Sequence, residues 1–202
     1  MGLGLAIFQQ LVGINVVFYY GSVLWQSVGF SVNDSLKIII LNGVVSIVSC
    51  LVAISMIDKA GRKPLLLVGS AGMAVALGLM AVAFSTASLV HGAVHLSGAW
   101  GLTALISANA YVIFFNVSWG PVMWVMLGEM FPNQIRGSGL AVAGFAQWIA
   151  NAAVSVSFPT LALSPGLAPT YFGYAVFAAI SFFFVKAMVH ETRGVELEDM
   201  EG

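Results

Sequence analysis

The fifteen Asp, Glu, Lys and Arg residues of this chain fall into four short clusters, at 34–37, 58–63, 129–136 and 186–201. Between them lie charge-free intervals of 33, 20, 65 and 49 residues, at 1–33, 38–57, 64–128 and 137–185. A soluble domain spreads roughly 25% charged residues over its surface. Here the charged share is 7% of 202 residues and 60% are hydrophobic, so the intervals belong in a bilayer.

A helix crossing a membrane needs about 20 apolar residues. The first two intervals hold one crossing each, and the last two hold two each with a turn between. Ser, Thr, His and Gly gather at 85–98, and the turn-forming run Leu-Ser-Pro-Gly-Leu-Ala-Pro occupies 163–169, so the breaks are expected there. The expectation is an all-α membrane protein: a six-transmembrane-helix bundle forming one domain over 1–202. Its spans lie at about 3–26, 36–57, 65–84, 101–128, 139–160 and 170–189, with a tail at 190–202. Strands of a membrane barrel would show short alternating segments instead.

Lys59, Arg62, Lys63, Arg136, Lys186 and Arg193 fall on one side of this arrangement and Lys37 alone on the other. The positive-inside rule then puts both termini in the cytoplasm of a multi-pass protein of the cell (plasma or inner) membrane. Met1-Gly2 leads straight into a span with no basic stretch before it, which argues against a removable signal peptide. Ala6 stands where myristoylation needs Ser or Thr. Cys50 is the single cysteine and sits inside a span, so no disulfide framework exists, and a net charge of -1 offers no basic patch to nucleic acid.

Polar side chains inside the spans carry the functional signal, because an unpaired polar group in hydrocarbon costs several kcal/mol. The first span holds Gln9, Gln10, Asn15, Tyr19 and Tyr20 around Gly13. On a straight helix Asn15 points about 140° away from Gln10. A break near Gly13 brings them to one side, as in transporters, whose interrupted helices surround a midplane cavity. Taken singly, each amide has the plainer explanation of interhelical hydrogen bonding.

The fourth span holds Asn116, Trp119, Gly120, Pro121 and Trp124. Proline inside a helix removes a hydrogen bond, so a bend is expected at Gly120-Pro121. Trp124 is either an interfacial belt residue or, one turn beyond that bend, an apolar face with one N–H donor. In the fifth span Gln147 and Asn151 share a face, with Trp148 beside them. Amides suit sugar hydroxyls and indole faces suit the C–H side of a sugar ring. No span carries a charge near its centre, so the combination suits a neutral polyol. The acids and bases of the two loops, Asp58, Lys59, Arg62 and Lys63 in one and Glu129 and Arg136 in the other, are placed to pair across the loops and latch helix ends together, or else are simply solvated.

Six motifs stand in order. They are Gln9-Gln10-Leu11-Val12-Gly13-Ile14-Asn15 with Tyr19-Tyr20, Asp58-Lys59-Ala60-Gly61-Arg62-Lys63-Pro64, and Trp119-Gly120-Pro121-Val122-Met123-Trp124. Glu129-Met130-Phe131-Pro132 with Ile135-Arg136-Gly137, Gln147-Trp148 with Asn151, and Glu191-Thr192-Arg193-Gly194 complete the set. Over essentially its whole length the chain resembles the C-terminal half, spans seven to twelve, of a sugar porter of the major facilitator superfamily, most like the bacterial xylose and glucose transporters. The resemblance implies alternating access without covalent chemistry, no cofactor and no metal. It implies that Gln9, Gln10, Asn15, Trp124, Gln147 and Trp148 contact the sugar, that Tyr19 and Tyr20 form an outer gate, and that Arg62, Glu129 and Arg136, with Asp58 and Glu191, form a cytoplasmic charge network. Gly120 and Pro121 join the gate as its bend. Ser46 replaces a sugar-contacting Asn of the family, with Asn42 one turn earlier; Asn116 replaces a Glu of some animal facilitators; His190 replaces a Pro.

Family members have twelve spans. The expected function is therefore that of a half-transporter for a hexose or pentose, completed by a second copy in a homodimer or by a separate N-terminal half. The alternative is a non-transporting fragment or a structural membrane subunit that only packs or binds sugar weakly. An enzyme is not expected: His91 and His95 have metal-ligand spacing but no accompanying Glu, and they lie in an outer loop.

Overall fold

The structure, a computed structural model, describes residues 1–27, 29–90, 93–96 and 98–192. Its elements in chain order are α1 Gly2–Leu11, α2 Ile14–Tyr19, α3 Gly21–Ser27, α4 Val32–Ala60, α5 Arg62–Ser85, β1 Ser88–Val90, β2 Ala93–His95, α6 Gly98–Val117, α7 Trp119–Met130, α8 Arg136–Leu161 and α9 Leu167–Met188. The two strands pair antiparallel, Ser88 with His95, where the sequence suggested only a turn. His91 and Arg193, with the tail beyond it, lie outside the described residues.

Among the described residues, five helical stretches are long and apolar enough to cross a membrane. The last, Arg136–Met188, holds two rods, because the wide turn Ala162–Gly166 contains an extended Ser164 (φ −152°, ψ 112°). Beyond the turn the chain runs back: Phe158 meets Tyr171 edge-on across it, and the Thr170 hydroxyl donates to the Leu161 carbonyl. The chain thus forms a bundle of long rods with apolar faces outward. Ile40, Val44, Ile47, Leu51 and Ile54 of α4 and Phe145 and Val156 of α8 are all exposed, which hydrocarbon tolerates and water does not.

Helix α5 is the central rod. It runs antiparallel to α9: the Lys63 ammonium reaches the Lys186 carbonyl at one end, Ser181 bonds Ser70 in the middle, and Phe84 stacks near Tyr171 at the other. Buried Leu66, Met73, Leu77 and Met80 fill its contacts with α6 and α9. Helix α1 instead runs parallel to α8, since Gln9 meets Gln147, Asn15 meets Asn151 and Tyr20 meets Ser155.

Boundaries moved for local reasons. Helix α4 starts at Val32, four residues before the expected span, because the Ser31 hydroxyl accepts the Asp34 N–H and Asp34 suits a helix N-terminus. Between α4 and α5 the chain turns on one residue, Gly61 at φ +90°, where a β-carbon would lie 2.7 Å from a Glu191 oxygen. The first span is broken as the sequence implied, at Gly13 (φ +82°), and again at Tyr20. The bend of the fourth span falls at Ser118 (φ −127°, ψ −88°), not at Gly120-Pro121. The proline ring clashes with the carbonyl four residues earlier, Val117, so the helix ends there. Pro121 then sits in the first turn of α7, where its missing N–H costs nothing.

Candidate functional site

The two broken helices meet at one buried cluster of amides. The Gln9 amide donates to the Trp119 carbonyl at 2.9 Å and to the Gly120 carbonyl at 3.4 Å, tying α1 to the first turn of α7. Its oxygen accepts from Gln147 at 3.0 Å and from Gln10 at 3.3 Å. Asn15 donates to Gln10 at 2.6 Å and to Asn151 at 2.9 Å, and the Ser155 hydroxyl joins Asn151 at 3.1 Å. Gln9, Gln10, Gln147 and Asn151 are buried and Asn15 is half-buried.

Gly13 makes this convergence possible. Its left-handed backbone lets the Val16 N–H bond the Gly13 carbonyl and the Gly13 N–H bond the Gln10 carbonyl, which turns α2 against α1. Gln10 and Asn15 then touch, although a straight helix would separate them by about 140°. Within the cluster the side chains are neutral and can both donate and accept. The Gln147 oxygen is buried and has no hydrogen-bond partner among the described residues, so it stands ready for a hydroxyl donor.

The other sequence-derived candidates take no part in this hydrogen-bonded cluster among the described residues. Trp124 and Trp148 are exposed, 41% and 62%. The tip of the Trp124 ring comes to Gly144 of α8, one turn before Trp148. Asn116 is half-buried and donates to the Val112 carbonyl of its own helix, with its oxygen near Gly120. Ser46 is half-buried on the stripe that α4 turns inward through buried Asn42 and Ser49, and it makes no hydrogen bond to the amide cluster among the described residues.

Of the two tyrosines expected at a gate, Tyr19 is exposed while Tyr20 is held down on α8. Its hydroxyl donates to the Ser155 carbonyl at 2.9 Å and its ring lies 5.1 Å from Phe158. Pro159, four residues after Ser155, has no N–H to offer that carbonyl, so the tyrosine supplies the donor the helix lacks. An apolar cavity of about 680 Å³ opens beside Tyr20, between Leu24, Phe84, Phe158 and Leu167.

At the opposite end Arg62 grips Glu129 with two bonds, Nε to Oε2 at 3.1 Å and Nη2 to Oε1 at 2.7 Å. Asp58 reaches the same Nη2 at 2.9 Å, and Thr192 bonds Glu129. Glu191 accepts the backbone N–H groups of Arg62 and Lys63 at 2.9 and 3.0 Å, capping the first turn of α5. Arg136 is not brought onto Glu129. It donates to the Phe131 carbonyl at 3.3 Å, and its buried Nη2 has no hydrogen-bond partner among the described residues.

Sequence reasoning missed Ser155, whose spacing from Gln147 and Asn151 puts it on the same face. It also missed Ser70, which accepts the Trp119 indole N–H at 2.9 Å and fixes the start of α7.

Interrupted helices meeting at a buried polar cluster inside long apolar rods are the architecture that transporters build around a midplane site. The chain matches the family described as Sugar (and other) transporter over residues 1–202. It is 53% identical over 200 residues to the glucose transport protein of Synechocystis sp., covering 99% of this chain and 43% of that protein. It is 40% identical over 207 residues to the D-xylose-proton symporter of Escherichia coli K12, covering 100% of this chain and 40% of that protein. A crystal structure of a double-tryptophan mutant of XylE superposes with a TM-score of 0.87 at 38% identity, over 98% of this chain and 41% of that one. The inward-open xylose transporter XylE from E. coli gives 0.83 at 39% identity, over 98% and 40%. The chain belongs to the sugar transporter family of the major facilitator superfamily, whose members here are transporters, not enzymes. It is a multi-pass plasma-membrane protein, and it spans about two fifths of the length of the relatives it matches.

Proposed function

We propose that this chain forms the C-terminal-type half of a monosaccharide transporter and moves a neutral hexose or pentose by alternating access. It acts as a single six-span domain with both termini cytoplasmic, completed by a second six-helix half, either a separate N-terminal half or a second copy. The observation that carries this reading is the 2.6 Å contact between Asn15 and Gln10 across the Gly13 break, which joins Asn15 and Asn151 to Gln9, Gln10 and Gln147 in one cluster of five amides. Relatives named for glucose and xylose transport support the sugar class.

In this reading Gln9, Gln10, Asn15 and Gln147 exchange their mutual hydrogen bonds for sugar hydroxyls, and Trp124 and Trp148 cover the ring. Ser46 and Asn116 contact it from the sides, Ser46 through water. Tyr19 and Tyr20, with the α6–α7 bend ahead of Gly120 and Pro121, open and close the outer side. The Arg62, Glu129, Asp58 and Glu191 network holds the cytoplasmic side shut, and Arg136 awaits a partner on the second half. Titration of the purified protein with D-glucose and D-xylose, read by tryptophan fluorescence, tests the site. Gln10→Ala combined with Trp124→Ala abolishes binding; retained binding refutes the assignment. Uptake into proteoliposomes by this chain alone identifies the second copy as the missing half, and uptake only with an added six-helix half identifies a separate one. Binding with uptake in neither case favours the packing-subunit alternative.

A further inference from the structure

The Gly13 break leaves a debt in the backbone. In a continuous helix the Val12 carbonyl would take the N–H of Val16, but that N–H turns to the Gly13 carbonyl. Val12 is 0% exposed, so no solvent reaches its oxygen. The donor that reaches it is the Tyr111 hydroxyl of α6, at 2.8 Å, and Tyr111 is itself 0% exposed. In the bent form this hydroxyl is the donor that the Val12 carbonyl depends on among the described residues. If α1 and α2 straightened, the Val12 carbonyl would regain the Val16 N–H and no longer depend on the Tyr111 hydroxyl, so losing that hydroxyl penalises the bent form.

A second ring works in the same direction. Tyr174 of α9 lies flat against Gly13, where a β-carbon would come within 2.8 to 3.0 Å of three of its ring atoms. Both tyrosines belong to helices that pack along α5, so the hinge is braced by the rigid part of the bundle and not by its own segment.

We infer that Tyr111 is a positioning residue: its hydroxyl holds the α1–α2 bend by capping the Val12 carbonyl, and through that bend it aims Asn15 at Gln10. It touches none of the amides. The effect on sugar rests on the sugar-site reading above; the effect on the hinge does not. Where two arrangements of a segment compete, removing a hydrogen bond that only one of them needs to satisfy a buried group shifts the balance by about that bond's net worth. One net hydrogen bond corresponds to about tenfold.

The test compares Tyr111→Phe with Tyr171→Phe. Both remove one buried phenolic oxygen, but the Tyr171 hydroxyl has no hydrogen-bond partner among the described residues, so that change reports any general cost of the substitution. Circular dichroism and elution volume verify that each variant keeps its fold. Two readouts are taken on the full chain in detergent: amide hydrogen exchange over residues 12–17, and titration with D-glucose and D-xylose. The expected result is about tenfold faster exchange at 12–17 and about tenfold weaker sugar binding in Tyr111→Phe, with neither in Tyr171→Phe. Unchanged exchange, or equal changes in both variants, overturns the inference. So does faster exchange with sugar affinity intact. If the unmodified chain binds neither sugar, the functional reading fails on its own, and the exchange arm still decides whether Tyr111 holds the hinge.

Discussion

Gly13→Ala probes the hinge directly. The residue stands at φ +82°, a left-handed conformation that costs an L side chain about 1–2 kcal/mol. The added methyl also falls 2.8 to 3.0 Å from the Tyr174 ring. That ring cannot swing aside, since it is 6% exposed and packed edge-on to Tyr171 at a centroid distance of 5.8 Å. Overpacking of this kind costs about 1–3 kcal/mol, which brings the total to about 2–5 kcal/mol if the bend is kept. The other outcome is a straightened segment that swings Asn15 through about 140° and dismantles the amide cluster. Denaturant unfolding of the purified protein in detergent measures the loss. Gly13→Ala/Tyr174→Ala made alongside separates the two contributions, because the double variant removes the overlap and should cost less than the sum of the singles. A Gly13→Ala protein within about 0.5 kcal/mol of the parent, or strict additivity in the double variant, would refute the reasoning.

Three further outcomes follow from the same geometry. Tyr20→Phe leaves the Ser155 carbonyl without the hydroxyl it accepts and destabilises by about 1 kcal/mol, and adding Pro159→Ala restores a backbone donor and recovers most of it; a double-mutant cycle by denaturation checks this. Glu129→Gln costs about 2–3 kcal/mol because Arg62 and Glu129 have side chains only 11% and 21% exposed, whereas Asp58→Asn, with its side chain 77% exposed, costs under about 1 kcal/mol; equal losses in unfolding experiments would contradict the burial argument. Ser70→Ala strands the Trp119 indole N–H and costs about 1–3 kcal/mol, and thermal melting in detergent with Ser85→Ala as an exposed control measures it.

Much of the site was legible because membrane insertion filters residue types so strongly. Gln9, Gln10, Asn15 and Gln147 stood out as amides in hydrocarbon, and the angle between Gln10 and Asn15 required a break at the one glycine between them. The Ser118 bend was harder to read. Proline marks a break, but the break falls at the carbonyl its ring would strike, one turn earlier, and no local signal at Ser118 announces it. Arg136 shows the opposite limit. The resemblance placed it in the charge network with Arg62 and Glu129, yet side chains near one helix end meet only if the backbone aims them, and here Arg62 occupies both Glu129 oxygens.

By itself the sequence determined the solvent, the number of apolar rods and the hinge glycine, because burying charge in hydrocarbon and placing a side chain at positive φ are costs that single residues reveal. Only the tertiary structure decided what the hinge leans on. The Tyr111 hydroxyl lies 99 positions along the chain from the Val12 carbonyl, and the Tyr174 ring reaches Gly13 from the last helix. Such contacts depend on how rods pack side by side, and that follows from the shapes of many side chains together, not from any spacing along the chain.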